Sequence, residues 1–263
     1  MIALFVTGTD TGVGKTTVSC AILAAARARG LRTAAMKPVE TGCAPPADEP
    51  TGPLIPADAS ALDRATRADP RAETSDREDD RSGDHRFIAP RAPSSTVFRF
   101  AAPLAPSVAA EREGGAVTFA PILRAADRLR SLSPDLFLVE GAGGLLVPIS
   151  DSTDMADLAA ALATPLLIVA RDGLGTINHT LLTLEAAAAR RLPVVGVVLS
   201  AVTAGTDPRD AARNAHEIAR RGRVPVLGCL PHSTDLSLAS LASAAEAHLA
   251  LDRLLGPPSG ELR

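Results

Sequence analysis

Residues 2–27 read IALFVTGTDTGVGKTTVSCAILAAAR. The first six are apolar but for Thr7 and do not alternate, as in a strand covered on both faces of a sheet. Gly8-Thr9-Asp10-Thr11-Gly12-Val13-Gly14-Lys15-Thr16-Thr17 follows, then an alanine-rich stretch whose Val18, Ile22, Leu23 and Ala26 recur at helical spacing. A strand, a glycine loop and a helix start, in that order, aim successive backbone N–H groups and the positive end of a helix dipole at one point, which is a cradle for phosphate. The loop therefore predicts a nucleotide site. Gly12, Val13, Gly14 and Thr17 would supply backbone around the phosphates, Lys15 would reach the β and γ oxygens, and the Thr16 hydroxyl would ligate Mg²⁺. The spacing departs from G-x-x-x-x-G-K-[ST], because Thr9 stands where the first glycine belongs and Gly8 comes one residue early.

Short apolar runs alternate with helical patterns along the rest of the chain, the signature of βα units in a parallel sheet. Strands are expected near 2–7, 33–37, 135–140, 165–170, 194–199 and 225–229, with Pro165, Pro193 and Pro225 opening three of them. Helices are expected near 14–29, 104–112, 120–132, 154–163, 175–191, 207–221 and 237–254. The predicted class is α/β, P-loop NTPase-like, with a doubly wound and mainly parallel sheet between two helical layers. One domain is expected over 1–256, with a frayed tail at 257–263. Residues 65–96 carry charge and proline but almost no apolar side chain, and read as a flexible insertion, either a solvated loop or a functional lid.

A chain of 263 residues with a net charge of −3 lacks the basic footprint of a nucleic-acid binder. Three scattered cysteines (Cys20, Cys43, Cys229) suit reduced, structural thiols. No basic leader precedes residue 2 and no run reaches membrane-spanning length, so a cytoplasmic protein without membrane contact is expected. Of 27 Lys plus Arg only two, Lys15 and Lys37, are lysine. A lysine that survives such a bias marks a place where a compact ammonium is required rather than any positive charge. The five histidines show no metal-ligand spacing and read as surface or interface residues, His179 beside Asn178 being the one to watch.

A Mg²⁺-nucleotide site needs acids near the phosphates. Asp135–Glu140 is an apolar strand that ends in a carboxylate and runs into Gly141-Ala142-Gly143-Gly144, which places Glu140 at the carboxyl edge of the sheet, where open α/β folds bind ligands. The glycines would let backbone approach phosphate or substrate. Asp58, in Ala57-Asp58-Ala59-Ser60, reads equally as a metal ligand or as a helix N-cap.

The loop TGTDTGVGKT, the segment Met36-Lys37-Pro38-Val39-Glu40-Thr41-Gly42, PLAPSVAA (103–110), VEGAGGLLVPI (139–149), LGTINHTLLTLEAA (174–187) and VLGCLP (226–231) occur in order over residues 2–232. Together they resemble the dethiobiotin synthetase family. The resemblance implies a homodimer of single-domain P-loop subunits that convert 7,8-diaminopelargonate, CO₂ and ATP to dethiobiotin, ADP and phosphate. It implies that Lys15 and Lys37 flank the carbamate and γ-phosphate, with Thr11 as a polar contact. Thr16, Asp58 and Glu140 match the family's Mg²⁺ and nucleotide positions, and Gly141, Ala142, Gly143 and Pro231 fall in its nucleotide-contacting segments. Thr41 matches a substrate contact, and Asn178 the region that holds the substrate carboxylate across the dimer interface. Gly12 stands where Glu is frequent, and Ser200-Ala201 where some members carry Asn-Asp near the adenine. Partition-type switch ATPases share a similar loop with a lysine two residues before the central Gly; here that place is Asp10.

Overall fold

The computed structural model describes residues 1–67, 94–205 and 207–256. Most of the 65–96 insertion and the 257–263 tail lie outside the described residues. Strand β1 (Ile2–Gly8) leads through the glycine loop into α1 (Lys15–Ala28), followed by β2 (Thr33–Thr41), α2 (Ala57–Thr66), β3 (Ser94–Phe100), α3 (Pro106–Arg112) and α4 (Phe119–Ser131). Then come β4 (Leu136–Gly144), α5 (Met155–Ala161), β5 (Leu166–Arg171), α6 (Thr176–Ala189), β6 (Val194–Ser200), α7 (Pro208–Gly222), β7 (Val226–Leu230), α8 (Leu238–His248) and α9 (Asp252–Leu255). The strands form one sheet in the order β3-β2-β4-β1-β5-β6-β7, and every neighbouring pair is parallel.

Parallel pairing demands a crossover after each strand, and the crossover helices cover both faces. On one face α1, α2 and α8 pack Ile22, Leu23, Leu62 and Leu241 against β1 and β4. On the other, α3, α4 and α5 bring Ala109, Ile122, Leu129 and Leu158 against Phe5, Met36 and Phe137, while α6 and α7 close over β5 and β6 with Leu184 and Ile218. The core is aliphatic with a few Phe, as the composition requires. Local chemistry sets several helix starts. Asp154 and Asp157 form a reciprocal capping box at α5, and Asp207 and Ser237 cap α7 and α8.

Four sequence expectations need correction. Ser94–Phe100, read as the end of the polar insertion and its flank, is edge strand β3, whose Val97 and Phe100 are buried on β2. Strand β2 does not stop at 37 but continues to Thr41: its pairing with β4 ends at Met36, and β3 alone accompanies it past Pro38. The glycines after Glu140 belong to β4, so Glu140 pairs with Val6 inside the sheet rather than at its rim. The helix expected over 237–254 is two, because Leu249 and Ala250 leave the helical path to pair antiparallel with the outer side of β7, Ala250 N donating to Leu227 O at 2.6 Å.

Candidate functional site

Strands β1, β2 and β4 point their carboxyl ends into a cleft of ≈ 880 Å³. The glycine loop forms its floor. Gly12 (φ +70°) and Gly14 (φ +91°) are left-handed, and a Cβ on Gly14 would lie 2.4 Å from Ser200 Oγ, so only glycine fits there. Gly14 is also the N-cap of α1 and brings no side-chain cap, which leaves the first amides of α1 directed at the cleft. Thr11, Gly12, Gly14, Lys15, Thr16 and Thr17 all line it. Val13 does not; its side chain is buried in the core beneath the loop and contributes only backbone there.

Lysine Lys15 is buried, with Nζ donating to the Asp10 carbonyl at 3.1 Å. Burial, helped by the nearby Lys37 ammonium, lowers its pKa from 10.5 to about 8. Lys37 lies on β2, 3% exposed, and Nζ donates to Asp58 Oδ2 and to Glu140 Oε1, both at 2.7 Å. Burial opposes its charge, but the two carboxylates outweigh it and raise the pKa above the ordinary lysine value. The same ammonium holds Asp58 ionised: burial would raise that carboxyl, and Lys37 overcomes it to leave the pKa low. Thr16 Oγ1 donates to Glu140 Oε1 at 2.8 Å. Glu140 is wholly buried, and its Oε2 has no hydrogen-bond partner.

Thr16, Asp58 and Glu140 thus converge from α1, α2 and β4. Among the described residues no three His, Cys, Asp or Glu gather around one point. Two carboxylates and a hydroxyl nonetheless suit Mg²⁺, which is commonly held by one or two carboxylates and completed by water and substrate phosphates. The unpartnered Glu140 Oε2 is an oxygen in need of such a neighbour.

The remaining expected residues divide. Thr41, Ala142, Gly143 and Pro231 line the cleft, as do Ser200, which lies against Gly14, and Ala201. Gly141 does not reach it; a Cβ there would sit 3.0 Å from the Phe5 ring, so this glycine serves sheet packing. Asn178 is the third residue of α6, is exposed, and lines neither this cleft nor a second one. That second cleft, ≈ 480 Å³, adjoins the glycine loop at Thr11 and is walled by His179, Leu146 and Leu182.

One buried acid of the cleft escaped the sequence reading. Glu40, 5% exposed on β2, accepts from Asp58 N on Oε1 at 2.9 Å and from Ala59 N on Oε2 at 3.0 Å. Burial pushes its pKa up, and these two amides pull against that shift. A signal was present: apart from Lys37 the stretch AAMKPVE is apolar, and a carboxylate at its end is a charge that must find a buried partner. Its partners are backbone amides of a later helix, which no side-chain pattern reveals.

A parallel sheet whose first strand ends in a glycine loop, with lysine, hydroxyl and acids gathered at the helix start, defines a P-loop nucleotide-binding protein. A family model described as an AAA domain matches residues 3–240. The ATP-dependent dethiobiotin synthetase BioD of Anaeromyxobacter dehalogenans is 44% identical over 237 residues, covering 90% of this chain and 93% of that protein. The enzyme of the same name from Aromatoleum aromaticum is 36% identical over 244 residues, covering 92% and 96%. The chain belongs to the dethiobiotin synthetase family. Among solved structures, the MinC:MinD cell division protein complex of Aquifex aeolicus is similar with a TM-score of 0.52 at 13% identity, covering 93% of this chain and 86% of that one. The signal recognition particle 54 kDa protein of Aeropyrum pernix, in complex with GDP, has a TM-score of 0.51 at 14% identity, covering 94% and 48%. At such identities these two show the fold alone.

Proposed function

We propose that this chain is an ATP-dependent dethiobiotin synthetase, closing a cyclic urea from 7,8-diaminopelargonate, CO₂ and ATP with release of ADP and phosphate. The observation that carries the reading is Lys37 bonded to Asp58 and Glu140, with Thr16 on the same Glu140 oxygen and the second buried lysine, Lys15, in the glycine loop of the same cleft. A carboxylate carbon is a poor electrophile until one oxygen becomes a leaving group, and phosphorylation supplies that. One amine, as free base, adds to CO₂ and loses a proton to give a carbamate. The carbamate oxygen attacks the γ-phosphorus as the bond to the β-bridging oxygen breaks, giving a carbamic-phosphoric anhydride and ADP. The second amine, as free base, attacks the anhydride carbon, loses a proton, closes the ring and expels phosphate.

No protein nucleophile enters these steps, so the protein's part is positioning and charge stabilisation. The amides of the glycine loop would hold the phosphates. Lys15 and Lys37 would offset the charge that accumulates as two anions meet. Thr16, Asp58 and Glu140 would hold Mg²⁺, which when bound would neutralise phosphate charge. Thr11 and Thr41 would orient the diamine chain. Asp10 at the place of the switch-ATPase lysine favours the synthetase over the partition-type reading.

We further propose a homodimer in which Asn178, at the start of α6, meets the substrate carboxylate near the interface, and a cytoplasmic location. Among the described residues no helix is long and apolar enough to cross a membrane. The test is mass-spectrometric detection of dethiobiotin from purified protein with diaminopelargonate, bicarbonate, Mg²⁺ and ATP. Product is expected only in the complete mixture; ATP hydrolysis without product would shift the reading to another P-loop activity.

A further inference from the structure

Helix α2 carries Asp58 into the cleft, yet it does not cap its own start. Its N-cap is Pro56, which offers no side-chain acceptor. The two amides that most need one, Asp58 N and Ala59 N, are taken by Glu40, from a strand 18 and 19 residues earlier in the chain. The same strand supplies Lys37, whose Nζ holds the Asp58 carboxylate at 2.7 Å. Strand β2 therefore grips α2 twice at one residue: Glu40 fixes the backbone of Asp58 and Lys37 fixes its side chain.

We propose that Glu40 is a positioning residue for the metal-nucleotide site, acting through Asp58: its two charge-assisted hydrogen bonds set where the α2 N-terminus docks and hence how the Asp58 carboxylate meets Thr16 and Glu140. Glu40 borders the cleft, but each of its oxygens accepts from an amide of α2, and its assigned role is the support of Asp58 rather than a ligand's place. Such supports commonly change metal affinity by about 10- to 100-fold when removed. The inference rests on the proposal above that Asp58 takes part in holding Mg²⁺. Glutamine should serve only partly, since its carbonyl can accept from one amide while its NH₂ faces the other donor.

The experiment is titration of Mn²⁺ into the full-length protein with ADP present, reading free Mn²⁺ by electron paramagnetic resonance. Wild type, Glu40→Gln, Glu40→Ala, Asp58→Ala and the Glu40→Ala/Asp58→Ala double variant are compared. Mn²⁺ dissociation constants are expected to rise by about tenfold in Glu40→Ala and by less in Glu40→Gln. The double variant should bind no more weakly than Asp58→Ala alone, because Glu40 acts through that residue. Hydrogen exchange should show lost protection at Asp58 and Ala59. Unchanged Mn²⁺ affinity in a folded Glu40→Ala, despite a lower melting temperature, would reduce Glu40 to a structural cap; an additive double variant would do the same. If Glu40→Ala does not fold, Glu40→Gln decides by the same comparison. A wild type that fails to bind Mn²⁺ with ADP would overturn the metal reading itself and this inference with it.

Discussion

The two lysines of the cleft are in opposite electrostatic conditions, and each has its own consequence. Lys37 stays charged between two carboxylates, so Lys37→Ala should lower turnover by about 10² to 10³, the scale for one preorganised electrostatic partner. Lys37→Arg should also be impaired, since a planar fork does not fit where a point charge sits between Asp58 and Glu140. Near-normal steady-state rates in either variant would remove Lys37 from the reaction. Lys15 has its pKa lowered from 10.5 to about 8. Its ammonium therefore disfavours the folded state below about pH 8, and that penalty fades as pH rises from about 8 to 10.5, where the unfolded chain binds more protons. Nucleotide phosphates would restore its charge, so nucleotide binding near pH 8.5 should take up a fraction of a proton; calorimetry in buffers of different ionisation enthalpy would show this, and no buffer dependence would place Lys15 away from the phosphates. Lysine scarcity and loop context made both residues legible in the sequence. Glu140 was legible for its strand, but its burial was not, because the continuation of β4 through four residues rich in glycine is decided by pairing with β1. Asp58 stayed ambiguous until Glu40 was seen to provide the cap that Asp58 would otherwise have supplied.

At the level of elements, the site depends on how α1 begins. Gly14 holds φ +91° with Ser200 Oγ close against it. Gly14→Ala should therefore lose several kcal/mol of stability through strain and overlap and weaken nucleotide binding together with it, as read by urea denaturation and ADP titration. A control of a different kind lies at α5, where the Asp154–Asp157 box is tied to the end of α6 by Arg190 at 2.8 Å from each acid. Asp154→Ala should cost about 1 kcal/mol from the lost cap without changing nucleotide affinity, since α5 contributes no residue to the cleft. Six of the seven described strands were readable because strands of a parallel sheet covered by helices are nearly continuous apolar runs. Strand β3 was not, since SSTVFRF follows a charged stretch and its membership is settled by Val97 and Phe100 packing on β2. Helix α2 was visible only as a possible start around Asp58, because its apolar positions are few.

For the molecule as a whole, the exposed leucines ask for a partner. Leu146 (55% exposed) and Leu182 (56%) face one notch beside the glycine loop, and Leu174 stands fully out just before α6. Lone exposed leucines are ordinary, but a group around a recess next to the active cleft suits the proposed homodimer. Leu182→Glu should weaken dimerisation by at least about tenfold, on the scale of one buried leucine, as read by sedimentation equilibrium; an unchanged association constant would place the interface elsewhere. The strand order itself could not be read from the chain, because neither composition nor periodicity tells which parallel neighbours pair. The cysteines join the core more firmly than their number suggests. Burial pushes Cys20 and Cys43 up to about 12 and Cys229 to about 11, so iodoacetamide at pH 8 should modify the native protein at least about a hundredfold more slowly than the unfolded chain.

The antiparallel return of Leu249 and Ala250 against β7 has a consequence for colloidal behaviour. An outermost strand with free amides invites another copy to extend the sheet, the first step of fibre growth. By occupying the Leu227 carbonyl and the place beside Gly228, two residues behind α8 work as a stopper on that side. A chain ending at His248 would keep its cleft residues yet bare that margin, and light scattering on mild heating should find it clouding well before the full-length protein does.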